Sequence, residues 1–231
     1  MHIVHTESSQ GWGGQEIRIL EEAAGMRARG HRVTVIAPAQ ARIHGEAQRR
    51  GLDAVDLPID RKRPRGVLAL RRWLAANRAD VVNTHSSTDS WLVALACALL
   101  AGPPPVVRTR HISAPVPDNR ATRWLYTGAT RHIVTTGTSL RQQLIDGNRF
   151  PAERVTSVPT GIPLERFAPG DRAAARARTG LPADWTIVGI VATLRSWKGH
   201  RFLLDALARL PQPKLGLAIV GDGPQRTALE A

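Results

Sequence analysis

The feature that most constrains this fold is the regular alternation of short apolar runs with longer amphipathic runs. The apolar runs are rich in β-branched residues and too short for helices, which is typical of buried strands. Between them stand runs of helical period, such as 15–29, where Ile17, Leu20 and Ala24 share one face. Strands that alternate with helices build a parallel sheet covered on both faces. We therefore predict an α/β fold with a doubly wound, Rossmann-like parallel sheet.

The predicted elements follow one another along the whole chain. We expect strands over 1–5, 32–37, 54–57, 80–84, 106–109, 131–135, 155–158, 186–192 and 215–220. We expect helices over 15–29, 43–50, 67–77, 88–101, 119–128, 139–146, 172–178 and 201–210.

A linker interrupts this alternation over 159–171, which contains three prolines and two glycines. After it the strand–helix pattern restarts, but only two further strands follow, too few for a stable doubly wound sheet. We predict a complete first domain over residues 1–168 and an incomplete second domain over 169–231. We also expect the chain to be part of a longer protein and to be inactive by itself.

The composition narrows the cellular setting. The one cysteine, Cys97, lies in an apolar run and is expected to be a buried small hydrophobe, so no disulfide framework is predicted and a reducing, cytoplasmic compartment is favoured. The residues 1–5 lead directly into a strand, which indicates no signal peptide. The longest apolar run, 91–101, is too short to span a membrane.

The net charge of +13 comes almost entirely from arginine, since the chain has only three lysines. Such a field favours anionic partners: nucleotides, nucleic acid or an acidic lipid surface. A basic cluster over 61–65 precedes the predicted helix 67–77 and is either a solvated loop or a docking patch for anionic lipids.

Several candidate site residues stand where strands end. Arg195, Lys198 and Gly199 follow the strand 186–192 and precede a helix, where two cations and a glycine would suit a diphosphate; a solvated basic turn is the alternative. The loop containing Gly13 and Gly14 follows the first strand and opens the first helix, so its backbone either approaches an anion or forms an ordinary flexible turn.

The strand ends at 84 and 109 add further polar groups. His85, with serines and Asp89 nearby, is either a substrate-orienting imidazole or an exposed loop histidine. Of Arg108 and Arg110, which we expect to point to opposite sides, one is predicted to reach the crevice. His111 follows them.

Other chemistries lack their motifs in this sequence. The loop over 11–16 is not Gly-x-Gly-x-x-Gly, and no acid follows the second strand, which disfavours a dinucleotide-dependent dehydrogenase. There is no histidine–cysteine spacing for zinc, no Asp-x-Asp pair for a metal–diphosphate clamp and no Gly-x-Ser-x-Gly hydrolase elbow.

Taken in order, these segments resemble the group 1 (family 4) glycosyltransferases. The resemblance rests on the runs 13–16, 108–111, 154–163, 197–200 and 220–224 together with His85, and it covers essentially the whole chain. It implies the two-domain GT-B fold and transfer of a sugar from a nucleotide diphosphate sugar with retention, with no cofactor and no bound metal. It further implies a glycan or lipid-linked acceptor and work in bacterial cell-envelope or lipopolysaccharide assembly. Together with the basic surface, this suggests peripheral contact with the inner face of the cytoplasmic membrane.

The resemblance also assigns roles to residues. Gly13 and Gly14 would face the donor phosphates, and His85 would lie near the reacting centre. Lys198 would contact the donor diphosphate and stabilise charge on the leaving group. On the acceptor side it implicates Gln15, Arg110 and His111.

Departures from the family pattern leave part of the donor site open. The family usually has an arginine where this chain has Thr193, and Arg195 is expected to replace it. The paired family glutamates that contact donor sugar and ribose would lie after the last residue of this sequence. Two alternatives stay open: a non-enzymatic anion- or nucleic-acid-binding protein, and a nucleotide-sugar epimerase of related shape.

Overall fold

A computed structural model of the chain describes residues 1–230 and divides them into two compact units. The first unit is Met1–Ile162, and the second begins at Pro163. The boundary after residue 168 that the linker composition suggested lies a few residues further on, and it stays a prediction.

The first unit contains one seven-stranded sheet in which every neighbouring pair is parallel. Its strands are β1 (His2–Thr6), β2 (Arg32–Ala37), β3 (Asp53–Asp56), β4 (Val81–Thr84), β5 (Val106–Arg110), β6 (His132–Thr135) and β7 (Val155–Ser157). Its α-helices are α1 (Gly14–Ala28), α2 (Arg42–Arg49), α3 (Pro64–Asn77), α4 (Ser87–Ala98), α5 (Arg120–Arg123) and α6 (Thr138–Asp146). The predicted doubly wound α/β architecture is confirmed.

The strand order places a topological switch at the centre of this sheet. The order is β3-β2-β1-β4-β5-β6-β7, so the chain runs outward from β1 to β3 and then returns to the other side of β1. Open α/β sheets bind ligands at such a switch, beyond the carboxyl ends of the strands. Here those ends belong to β1 and β4.

Side-chain alternation along β1 builds a core on each face of the sheet. Ile3 packs with Leu20 of α1 on one face, whereas its neighbour Val4 packs with Leu92 of α4 on the other. Cys97 is buried in the second cluster, as predicted, and burial raises the pKa of its thiol to about 11. No helix within residues 1–230 combines the length and the apolar character needed to cross a bilayer.

The predicted helix over 119–128 is wrong in detail. The short α5 passes into a π-helical turn over Trp124–Gly128, in which Ala129 N donates to Trp124 O at 2.8 Å. Gly128 permits this, because a Cβ there would lie 3.0 Å from Cδ1 of the Trp124 ring. This turn places Tyr126 beside β5.

The second unit contains a two-stranded parallel sheet, as the restarted pattern predicts. Its elements are α7 (Arg172–Thr179), β8 (Thr186–Val191), α8 (His200–Leu207), β9 (Leu215–Val220) and α9 (Arg226–Glu230). The segments that follow β8 and β9 pack tightly: Gly221 has a φ of 156°, and a Cβ there would overlap the carbonyl oxygen of Ala192.

Candidate functional site

Three histidines form a hydrogen-bonded row across the switch point of the first unit. His5 lies on β1, His85 follows β4 and His111 follows β5. His5 Nδ1 lies 2.9 Å from His85 Nε2, and His85 Nδ1 lies 3.0 Å from His111 Nε2. Ring centroids are 5.2 Å apart at both steps. The imidazoles are thus joined edge to edge, and among residues 1–230 no group of histidine, cysteine or carboxylate side chains converges as a metal site would require.

The row runs from the protein interior to the surface. His5 is fully buried, and its Nε2 has no hydrogen-bond partner within residues 1–230. His85 is only 4% exposed and uses both of its ring nitrogens within the row. His111 is half-buried, and its Nδ1 is neither bonded to a described residue nor enclosed. A ligand at this edge therefore meets His111, and His85 acts on it through His111.

Burial keeps the three imidazoles neutral at pH 7. It lowers the pKa of His5 to about 4. For His85, burial and then the neighbouring imidazoles and Arg18 hold the pKa well below its ordinary value. Burial and then Arg18 lower the pKa of His111 to about 4. Each neutral imidazole carries one N–H, so the position of the proton on His5 determines whether Nδ1 of His111 donates or accepts.

Two buried carboxyl groups, those of Asp89 and Glu7, lie close to the histidine row. Asp89 accepts hydrogen bonds from His85 N at 2.9 Å and from Thr6 Oγ1 at 2.7 Å, as well as from the backbone and hydroxyl of Ser86. Burial raises the pKa of Asp89, and these hydrogen bonds oppose that rise. This network fixes the turn from β4 into α4 and with it the backbone of His85.

Glu7, just beyond β1, is the second buried carboxyl group. Burial and then the charge of Asp89 raise its pKa to about 8. It accepts hydrogen bonds from Ser9 N at 2.7 Å and from Nε2 of Gln15. The predicted site residue Gln15 is thus hydrogen-bonded to the Glu7 carboxyl group, beside the switch point.

The glycine loop opens α1 at the same edge of the sheet. Gly13 is the N-cap, with extended backbone at φ −172°. A Cβ on Gly14 would meet nothing within 4 Å, and one on Gly13 would meet only the Glu16 carboxylate at 3.7 Å. Internal packing does not require these glycines, and the first turn of this helix already carries the Glu16 carboxylate.

Arg18 is a buried residue of this edge that sequence reasoning missed. It is 4% exposed and pairs with Glu22 at 2.6 Å. Its other donors bind Thr160 Oγ1 and Val158 O, each at 3.0 Å, which holds the segment after β7 against α1. Its place on the inner half of an amphipathic helix resembles an ordinary helical arginine, so only the tertiary structure shows its proximity to the histidines.

The prediction for the arginines of β5 is wrong. Arg108 and Arg110 lie on the same side of the strand, because residues two apart on a strand share a face. The guanidinium carbon of Arg108 lies 4.5 Å from the Tyr126 ring centroid. Arg110 donates to the Tyr126 hydroxyl at 3.1 Å and to Ala114 O.

The predicted donor-binding cations lie in the second unit. Ser196–Lys198 forms a 3-10 turn after β8, and Gly199, with a φ of 80°, begins α8. Lys198 is exposed, and the guanidinium carbon of Arg195 lies 5.4 Å from the Trp197 ring centroid. The structure thus joins His85 to His111 in the first unit and bonds Gln15 to Glu7 there, and it places Arg195 beside Lys198 in the second unit.

Comparison with known proteins identifies sequence relatives of the chain. The profile of Glycosyltransferase Family 4 matches residues 12–166. A D-inositol 3-phosphate glycosyltransferase of Mycobacterium avium (strain 104) is 30% identical over 250 residues, covering 94% of this chain and 57% of the relative. The protein of the same name from Stackebrandtia nassauensis is 34% identical over 159 residues, covering 66% of this chain and 33% of the relative. The match therefore spans little more than half of the first relative and a third of the second.

Solved structures share the fold at low sequence identity. A glycosyltransferase from Rickettsia africae ESF-5 superimposes with a TM-score of 0.82 at 18% identity, covering 99% of this chain and 62% of that one. Anabaena Alr3699/HepE, in complex with UDP-glucose, gives a TM-score of 0.76 at 21% identity, covering 100% of this chain and 64% of that one.

The neutral state of the histidine row can be tested through stability. Replacing His5 by asparagine removes a titrating group but leaves an amide able to bond His85 Nε2. The pKa of His5 is lower in the folded protein than in the unfolded chain. Its contribution to the unfolding free energy is therefore complete above pH 6.5 and is lost as the pH falls toward 4. We expect the unfolding free energy of the wild type to fall more steeply in this window than that of His5→Asn, by up to about 1.4 kcal/mol per pH unit.

Denaturant unfolding at several pH values between 6.5 and 4 measures this difference. Glu7, whose raised pKa acts in the opposite sense between pH 4.5 and 8, is present in both proteins and cancels. His5→Gln, a second amide replacement at the same position, should show the same shallower slope as His5→Asn. Parallel curves for wild type and His5→Asn would contradict the assignment.

Proposed function

The chain belongs to glycosyltransferase family 4, and we propose that the protein carrying it transfers a sugar from a nucleotide diphosphate sugar to an acceptor. The observation that supports this most strongly is the row of neutral histidines at the switch point, ending in the open Nδ1 of His111. Uncharged imidazoles in a buried site orient hydroxyl groups without attracting a counter-ion. Sugar hydroxyls are such partners.

We assign His111 as the group that contacts the substrate and His85 and His5 as residues that position it. We still place His85 near the reacting centre, and we propose that it acts on the substrate through the His111 ring. Retention of anomeric configuration, as the resemblance implies, belongs to this proposal, as does catalysis without a resident metal ion.

The donor is proposed to be a nucleotide diphosphate sugar. One structural relative, Alr3699/HepE, carries UDP-glucose or UDP in its solved complexes, which supports a donor of this class. Lys198 offers an exposed ammonium after β8, and Arg195 stands beside the same turn. Charge-assisted hydrogen bonds from such groups stabilise a diphosphate leaving group.

Family membership favours a transferase over the nucleic-acid-binding protein that the net charge left open. An epimerase acting on a nucleotide sugar remains the competing enzyme class. Product analysis with and without an acceptor distinguishes the two, since an epimerase converts the donor in the absence of any acceptor.

Work at a membrane surface is also part of the proposal. A groove of about 570 Å³ between α3 and α4 is lined almost wholly by apolar side chains, including the exposed Leu68, Leu95 and Leu99. Lys62 and Arg63 stand at its rim within the basic cluster over 61–65. An apolar groove beside clustered cations complements an anionic lipid surface. We therefore prefer the docking patch to the solvated loop and propose a lipid-linked acceptor in bacterial envelope assembly.

Removing the ammonium of Lys198 should weaken donor binding. We expect Lys198→Ala to lower UDP affinity by roughly ten- to a hundredfold, the equivalent of about 1.5–3 kcal/mol for one charge-assisted hydrogen bond. Calorimetry with UDP and with GDP measures it in the protein carrying this chain. Lys214→Ala is the matched control, because that exposed ammonium pairs with Asp184 at 2.5 Å. Unchanged affinity in Lys198→Ala would contradict the donor assignment.

Neutralising the groove rim should release the protein from anionic lipid. For Lys62→Gln combined with Arg63→Gln, we expect roughly thirtyfold weaker binding to vesicles containing phosphatidylserine, about 1 kcal/mol for each cation. Sedimentation with vesicles of phosphatidylcholine alone provides the baseline. The charge-matched pair Arg27→Gln and Arg29→Gln at the end of α1 should bind as the wild type does; equal loss in both pairs would show only a net-charge effect and would refute the patch.

A further inference from the structure

A cavity beside β5 contains two arginines that have no acidic partner among residues 1–230. It has a volume of about 330 Å³ and lies between β5, the loop over 112–117 and the π-helical turn. The residues that matter here are Lys62, Ser87, Trp91, Arg108, Arg110 and Tyr126.

Both guanidinium groups are buried and incompletely satisfied. Arg108 is 4% exposed and Arg110 is 9% exposed. Nε and Nη1 of Arg108 and Nε of Arg110 are enclosed, and none of the described residues accepts a hydrogen bond from them. Within residues 1–230, no carboxylate oxygen lies within 4.0 Å of either group. Buried charges are ordinarily paired, because desolvation is costly unless an opposite charge offsets it.

The acidic group that would be expected to pair with Arg108 is occupied elsewhere. This group is Asp89. The positive charge of Arg108 lowers the pKa of Asp89, but the two side chains lie farther apart than ion-pair distance. Its two oxygens already accept hydrogen bonds from Thr6, His85 and Ser86. It therefore cannot turn toward the cavity without breaking the network beneath the histidine row.

The arginines are nevertheless held in fixed positions. Tyr126 stacks under Arg108 and receives a hydrogen bond from Arg110, and Ala114 O receives a second. Lys62 lies at the cavity mouth, 3.5 Å from the Ser87 hydroxyl and 5.7 Å from the Trp91 ring centroid. Ser87 begins the twelve-residue helix α4, whose N-terminus adds positive potential. The cavity is preorganised for an anion.

We propose that this cavity binds a phosphate group carried by the acceptor. Three cationic side chains suit a dianion better than a single carboxylate, and guanidinium forks match phosphate oxygens. Trp91 and the proline-containing loop supply an apolar wall for the remainder of the acceptor. The assignment to the acceptor rests on the proposed function, whereas the phosphate site itself does not.

Titration of inorganic phosphate into the 231-residue chain, at constant ionic strength, tests the site directly. Calorimetry should show binding in the wild type and at least tenfold weaker binding in Arg108→Gln. Arg108→Lys keeps the charge but loses the fork, and we expect it to fall between the two. Arg120→Gln is the control, since that exposed arginine on α5 lies outside the cavity lining. No binding by the wild type, or equal affinity in all four proteins, would overturn the site.

Thermal unfolding guards against a variant that fails to fold. Because Arg108→Gln removes an unpaired buried charge, its melting temperature without phosphate should equal or exceed that of the wild type, and added phosphate should raise only the wild-type value. A phosphate-dependent rise of the same size in Arg108→Gln would also refute the site.

Two further arms separate this inference from the proposed function. UDP should not displace phosphate from the wild type; displacement would assign the cavity to the donor and overturn the acceptor assignment. UDP-glucose binding is measured separately, in the longer protein carrying this chain: if UDP-glucose binds and phosphate does not, only the cavity assignment fails. If phosphate binds and no nucleotide sugar does, the proposed transferase fails while the phosphate site stands.

Discussion

The hydrogen bond between His5 and His85 is the contact on which the site depends, because it joins the two strands at the switch point. The strand order puts β1 and β4 side by side, and the parallel register brings their carboxyl ends to one edge. Burial then removes water from the rings, which keeps them uncharged. Without water, the rings hydrogen-bond to one another. The proton position is thereby relayed to the half-exposed His111.

Around this contact, each buried ionisable side chain of the first unit has a different environment. Asp89 is saturated by hydrogen bonds from the turn into α4, and the raised pKa of Glu7 favours its neutral form at pH 7. Arg18 is tied to the segment after β7. Among the cationic side chains that the structure describes, Arg108 and Arg110 retain buried donors without acceptors. The same edge of the sheet thus offers neutral groups for hydroxyls and unpaired cations for an anion.

Much of this architecture could be predicted from local pattern. Short β-branched runs and helical periodicity predicted the parallel sheet, and the strand ends indicated His85 and His111. His5 escaped prediction because a histidine inside a buried strand looks like part of the core, and its partner is eighty residues away. The shared face of Arg108 and Arg110 followed from strand geometry and was misjudged. That these arginines lack counter-ions could not be predicted from the sequence, because tertiary packing determines whether a carboxylate lies next to a buried cation.

The most direct test of this account is the rate of sugar transfer after a change at His5, a residue that is fully buried. In His5→Phe we predict a kcat reduced on the order of ten- to a hundredfold by misplacement of His111, with the donor KM little changed. His5→Asn, which can bond His85, should recover part of the loss. Wild-type kcat in His5→Phe, or equal losses in both variants, would contradict the role of the histidine row.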